Sequence, residues 1–110
     1  MEEEKFLANS LANVIPANFS DGINGWATIL KMIGHPQRLS ILYTLCKKPR
    51  SVKELQDVLD MPQSVLSQHL GLLRRANLVK RKKEGTLAIY SIGQACIREL
   101  MQIICAKPNF

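Results

Sequence analysis

Nowhere do these 110 residues stay apolar for the about 18 in a row that a membrane-crossing helix requires, so no span and no membrane partner are expected. The chain opens on Glu2, Glu3 and Glu4, the wrong sign for the basic start of a secretory leader, and the expected address is the cytoplasm. No CxxC occurs. Cys46, Cys96 and Cys105 are odd in number and widely spaced, so neither a zinc ribbon nor a dithiol redox motif is written here. In a reducing compartment they are expected to be free thiols. Paired carboxylates, a nucleophile–base spacing and a glycine-rich phosphate loop are all missing, so neither an enzyme nor a cofactor is expected. There is no internal repeat and no low-complexity tract.

Charge is present, and it is unevenly placed. The formal net charge is +6, and residues 47–86 hold ten basic against four acidic groups, while both flanks are close to neutral. Lys80, Arg81, Lys82 and Lys83 stand in a row. Such a row is often only a solvated face, but a basic block confined to one segment is also the electrostatic footprint of a nucleic-acid binder.

Hydrophobic spacing divides the chain into helices and one hairpin. Residues 2–14 place Phe6, Leu7, Leu11 and Val14 on helical spacing, and Pro16 with the stretch 18–25 is expected to end that helix. The spacing predicts a second helix over 25–33 with Trp26, Ile29, Leu30 and Ile33 as its stripe. A third is predicted over 36–47, opened by Pro36 and burying Leu39, Leu42, Leu45 and Cys46. Ser51 and Glu54 form a capping box for the next helix, with Val52, Leu55, Val58 and Leu59 as its buried face. After a break of about three or four residues, as in a helix-turn-helix, Pro62 opens a helix that runs to about Ala76. From Leu78 the period changes to two, predicting strands over 79–82 and 87–92 about a turn at 83–86, where Gly85 supplies a positive φ. The last helix, about 94–106, carries Ile97, Leu100, Met101 and Ile104 in one stripe, widened by Cys96 and Ile103. A helix apolar over most of its girth wants a partner on both sides, and a second copy of the chain is the natural second partner.

The helix over 62–76 asks a functional question. At about 100° per residue, Gln63, Ser67, Gly71, Ser64 and Gln68 share one arc of about 140°, and Leu73, Leu66 and Leu70 share another. An ordinary amphipathic helix would also separate polar from apolar, but this polar arc is almost uncharged. Gln and Ser side chains hydrogen-bond base edges, and Gly71 would let a backbone come close. His69 falls off that arc, which favours a packed or phosphate-touching imidazole over a base reader. The order of elements is helix, short turn, polar-faced helix, then a ribbon with a basic first strand. That order reads as a mainly α winged helix-turn-helix with a small β-hairpin, whose second helix enters the major groove of double-stranded DNA. Arg81, Lys82 and Lys83 on the wing would lie along phosphates, giving affinity without sequence information. Arg74 and Arg75 either meet phosphates or offset the helix dipole.

"LKMIGHPQRLSIL" (30–42), "SVKEL" (51–55), "PQSVLSQHLGLLRRANLV" (62–79) and "GTLAIYSI" (85–92) together resemble the ArsR/SmtB family of winged-helix repressors, over roughly residues 26–105. A length of 110 residues suits one domain over 1–110. In it, 1–25 would be an N-terminal extension or dimer helix, 51–76 the helix-turn-helix, 79–92 the wing and 94–106 a C-terminal dimer helix. The resemblance implies a homodimeric repressor on a palindromic operator, released by an inducer, with Gln63, Ser64, Ser67, Gln68, His69, Arg81, Lys82 and Lys83 as the DNA contacts. It makes His35 part of the core framework rather than a metal ligand.

Metal-sensing members of the family carry cysteines near the "SVKEL" position or Asp, His and Glu on the terminal helices. Residues 51–60 contain no cysteine, and residues 94–110 offer Glu99 alone, too little for zinc. No metal site is expected. A cysteine-based branch of the family responds to sulfane sulfur or oxidants, and Cys105 in "MQIIC" matches one of its two positions. At the other position this chain has Tyr43, with Cys46 one helical turn further on. The resemblance therefore implies a possible thiol switch of Cys46 with Cys105, set against free cysteines that simply pack as small apolar groups. Two alternatives stand beside the inducible repressor, namely a repressor without a small-molecule inducer and a winged helix that binds protein instead of DNA.

Overall fold

The computed structural model of the chain describes residues 19–106. The helix expected over 2–14, and most of the N-terminal extension with it, lies outside them. The first described helix, α1 (Phe19–Ile33), starts well before Gly25 and runs through a stretch expected to break it. A glycine costs a helix about 1 kcal/mol relative to alanine. Burial of Ile29 and Ile33, with Trp26 and Met32 packed against the core, outweighs Gly22 and Gly25. No helix among the described residues is long and apolar enough to cross a membrane.

The core is built around α2 (Pro36–Lys47), which packs against α1 and against four later elements. It buries Ile41, Leu42, Thr44 and Leu45 and leaves Leu39 and Cys46 half-buried, so its buried face is broader than the expected single stripe. Pro36 stands in its first turn, and His35 caps it by accepting the Gln37 backbone N–H on Nδ1 at 3.2 Å. A short strand, β1 (Arg50–Ser51), follows. Ser51 then caps α3 (Val52–Leu59) in the expected box, with both hydrogen bonds to and from Glu54 at 3.2 Å. Those bonds hold the exposed Glu54 carboxyl below its usual range. Leu55 is fully buried, but Val58 is exposed. The helix turns the side that holds Leu59 towards the core instead.

The turn after α3 is made by Asp60, in the left-handed region at φ 50°, by buried Met61 and by Pro62, the N-cap of α4 (Gln63–Arg75). Leu66, Leu70 and Leu73 of α4 are fully buried. The helix ends on Asn77 at φ 62°, with Leu78 N–H donating to Leu73 C=O at 2.9 Å and Asn77 N–H to Arg74 C=O at 3.0 Å. This pair of bonds around a left-handed residue is a Schellman motif. It turns the chain directly into β2 (Val79–Glu84), which pairs with β3 (Leu87–Ile92) in a three-stranded antiparallel sheet of order β1-β3-β2. The first strand of the wing is two residues longer than expected, because Lys83 pairs with Ala88 and Glu84 with Leu87. Gly85, at φ 63°, and Thr86 alone make the turn. Finally α5 (Ala95–Cys105) packs on α2 and β3, burying Cys96, Ile97 and Met101.

The wing is fastened at its base. Gly93 N–H donates to Leu78 C=O at 2.9 Å, and a Cβ on Gly93 would sit 2.8 Å from Asn77 O. That backbone oxygen belongs to the helix end and has little room to give. Gly93→Ala is therefore expected to lower the unfolding free energy by about 1–3 kcal/mol, read as a reduced urea midpoint with an unchanged m-value.

Candidate nucleic-acid interface

The three leucines that seat α4 fix its rotation, and the rotation decides which side chains face water. Gln63, Ser64, Ser67 and Gln68 are all exposed on one side of the helix. Gly71 continues the same arc, and a Cβ there would meet nothing within 4 Å. Nothing among the described residues asks for glycine at that position. Pro62 gives no side-chain hydrogen bond to the start of α4, so the first N–H groups of the helix are not taken up by a cap. Free N–H groups at a helix start suit phosphate oxygens.

His69 does not join this arc. It is buried, Nε2 lies 2.9 Å from Gln37 Oε1, and its ring is 4.8 Å from that of His35. The inclusion of His69 among the DNA contacts is thus corrected. Its position on the wheel between the arc and the leucines carries it against α2, where it is enclosed. Burial, then the neighbouring His35, then the charge of Arg38 push its pKa below the usual histidine value.

On the wing, Lys80, Arg81, Lys82 and Lys83 are all exposed, but they do not form one row in space. Residues directly opposite in the ladder share a face. Arg81 pairs with Tyr90 and Lys83 with Ala88, so these two lie on the face that carries the buried Tyr90 and Ile92. Lys80, opposite Ser91, and Lys82, opposite Ile89, lie on the other face. The wing therefore presents cations on both sides, a form suited to straddling a strand of phosphates. Arg50 of β1, opposite Tyr90 on the far side of β3, adds a cation to the Arg81 face. Sequence spacing held no sign of it, since two residues make no periodic pattern. Arg74 and Arg75 are exposed at the far end of α4.

A second cluster lies at the other end of α2. Cys46, in its last turn, and Cys105, in the last turn of α5, are half-buried free thiols, with Cys105 close enough to act on the Cys46 proton. Burial pushes the Cys46 thiol up, the neighbouring Cys105 pushes it further, and Arg98 and Lys47 pull partly the other way. Arg98 Nη1 donates to Cys46 C=O at 3.2 Å, and Cys46 Sγ in turn donates to Arg98 C=O at 3.8 Å. Tyr43 points outward, with Lys47 Nζ 5.1 Å from its ring centroid. One turn on, it is Cys46 and not Tyr43 that meets the last helix. Cys96 is buried in the core on the opposite side of α5. Among the described residues no three His, Cys, Asp or Glu side chains converge where a metal ion could be held.

Comparison with known proteins matches this geometry to a described family. The profile "Bacterial regulatory protein, arsR family" matches residues 35–81, from the cap of α2 into the wing. An uncharacterized HTH-type transcriptional regulator of Mycobacterium tuberculosis, Rv0081, is 43% identical over 79 residues, covering 70% of this chain and 68% of its own. A biofilm growth-associated repressor of Agrobacterium fabrum is 38% identical over 87 residues, covering 76% and 74%. The transcriptional activator HlyU of Vibrio cholerae is 36% identical over 76 residues. Its reduced structure superposes with a TM-score of 0.72 at 32% identity, covering 76% of this chain and 88% of that one.

Replacing Gly71 by alanine separates a packing role from a contact role. The variant is expected to be more stable by about 0.5–1 kcal/mol, the gain of alanine over glycine inside a helix, visible as a higher melting temperature. Its DNA affinity is expected to fall in a gel shift. A destabilised variant would show that the glycine serves the fold.

Proposed function

Because the chain belongs to the arsR family of bacterial regulatory proteins, winged-helix regulators that bind DNA, we propose that it is a homodimeric repressor that reads a palindromic operator with α4. The observation that carries this reading is the exposed, uncharged Gln63/Ser64/Ser67/Gln68 arc opposite three fully buried leucines. These side chains read base edges, while Arg81, Lys82 and Lys83 bind phosphates on either side of the wing. α1 leaves Ile23 and Leu30 exposed and α5 leaves Ile103 exposed, and these apolar groups supply the interface with a second copy. The cytoplasm is its proposed location. A role in protein binding alone is less well supported, because it gives no use to an uncharged arc beside a wing that carries cations on both faces.

The paired thiols are the proposed signal site. Oxidation by a peroxide would join Cys46 and Cys105 as a disulfide and yield water. A sulfane-sulfur donor would accept the same two electrons, with its sulfur leaving as hydrogen sulfide. The bond ties the end of α2, the central helix of the core, to the end of α5, a helix of the proposed dimer interface.

Gel shifts separate the two kinds of DNA contact. Gln68→Ala is expected to cost about 1–3 kcal/mol and to relax preference at one base pair in each half-site. Lys82→Ala with Lys83→Ala should weaken all sequences alike, flattening the salt dependence by about 0.9 in slope for each phosphate no longer neutralised. No retardation of any DNA at low salt would leave the protein-binding reading in its place. In a promoter-reporter assay, deletion should raise transcription, and a fall would make the chain an activator.

The thiol reading has its own measurement. Treatment with peroxide or polysulfide is expected to release the DNA and to remove two hydrogens from the intact mass. Cys46→Ser and Cys105→Ser should each abolish both effects, whereas Cys96→Ser should not. Release that persists in the Cys46→Ser protein would sink the pair as the signal site.

A further inference from the structure

Between the recognition helix and the start of α2 lies a polar joint that neither base nor phosphate contact explains. His69 is only 9% exposed, and its Nε2 meets Gln37 Oε1 at 2.9 Å. The rings of His69 and His35 are 4.8 Å apart and tilted by 54°. His35 Nδ1 accepts the Gln37 backbone N–H at 3.2 Å, so one short segment both caps α2 and holds His69. With a carbonyl oxygen as its partner, Nε2 carries the proton of the neutral ring. Nδ1 is then a bare acceptor, and it is buried with no hydrogen-bond partner among the described residues.

We propose that Gln37 and His35 are positioning residues of the DNA-binding surface, which set α4 through His69, and that protonation of His69 releases this joint and weakens DNA binding. The proposal rests on the reading of α4 as the DNA-contacting helix. A proton on Nδ1 would create a buried N–H without an acceptor and a charge without a counter-charge. The titratable and charged groups that act on His69 are His35 and Arg38, both from the start of α2. None on α3, on β2 or on α4 itself contributes, and neither contributor is an acid. Arg38 is also held in place, its Nε donating to Met32 C=O at 2.7 Å. Burial, His35 and Arg38 all favour the neutral ring, which places the folded-state pKa below 6.5. The unfolded or released ring therefore takes its proton at a higher pH than the enclosed one. The joint is fully present above about pH 6.5 and is lost as the pH falls through the lowered folded value.

The test uses the full chain and a duplex selected from a random pool by the wild-type protein at pH 7.5. Affinity is measured from pH 8.0 to 5.5 at constant ionic strength, with imidazole NMR titration of His69 and helical circular dichroism alongside. The wild-type protein is expected to keep its helix and to lose affinity as the pH falls below about 6.5, in step with the protonation of His69 followed by NMR. His69→Gln, whose amide still donates to Gln37, should bind within a few-fold of wild type at pH 7.5 and lose the acid sensitivity. Gln37→Glu should raise the His69 pKa and also remove the sensitivity, because the carboxylate faces the protonated ring. Gln37→Ala should bind weakly at every pH. A His69 pKa at or above 6.5, an unchanged acid response in His69→Gln, or loss of helix in the wild type at pH 5.5 would each overturn the proposal. Failure to select any duplex at pH 7.5 would instead overturn the DNA-reading role of α4, and this inference with it.

Discussion

Everything this surface presents follows from the burial of Leu66, Leu70 and Leu73. Truncating one buried leucine costs about 2–5 kcal/mol, against a total stability of about 5–15 kcal/mol for a domain of this kind. No rotation of α4 that exposed them would be tolerated. With the rotation held, the residues at the other phases of the helix have no freedom in where they point. The arc of Gln63, Ser64, Ser67 and Gln68 therefore reaches solvent without any polar contact having to hold it there. A surface that waits for a partner is best built in this way, since a reading side chain with a structural bond would have to break it before meeting a base edge.

α2 connects the two chemistries of the molecule. At its first turn, Gln37 touches the recognition helix through His69, and at its last turn Cys46 meets Arg98 and Cys105 of α5. Its middle is buried on several sides by apolar groups that fit one position only. The helix is thus set by packing along its length and by polar groups at its ends. Those polar groups are the ones whose state depends on the solution around the protein.

How much of this was legible in the sequence depended on whether the signal was local. The seating of α4 was legible because leucines at helical spacing declare a face, and the cap of α3 because Ser51 and Glu54 declare a box. α1 was misjudged at its start, where Gly22 and Gly25 look like breaks and only tertiary burial overrides them. The strand β1 was illegible, since Arg50 and Ser51 are strand only through their pairing with Tyr90 and Ile89. The same holds for the site. The exposed Gln/Ser arc followed from helix geometry, but the enclosure of His69 depends on Gln37, 32 residues away. The division of the wing's cations between two faces required the register with β3. The pairing of Cys46 with Cys105 came from the family resemblance, since nothing local in the sequence brings the ends of α2 and α5 together.

The Schellman turn at Asn77 and the close approach of Gly93 to it fix the direction in which the hairpin leaves the domain. They do nothing to fix where it stops. The ladder beyond Val79 and Ile92 carries mostly exposed residues, and its end is a two-residue turn on Gly85 and Thr86. Residues added or removed in pairs there would change the reach of the ribbon and leave its aim intact, because the ladder repeats every second residue. Aim and reach are thus separate variables in this architecture. A lineage of such proteins can lengthen or shorten the ribbon without disturbing how α4 is presented.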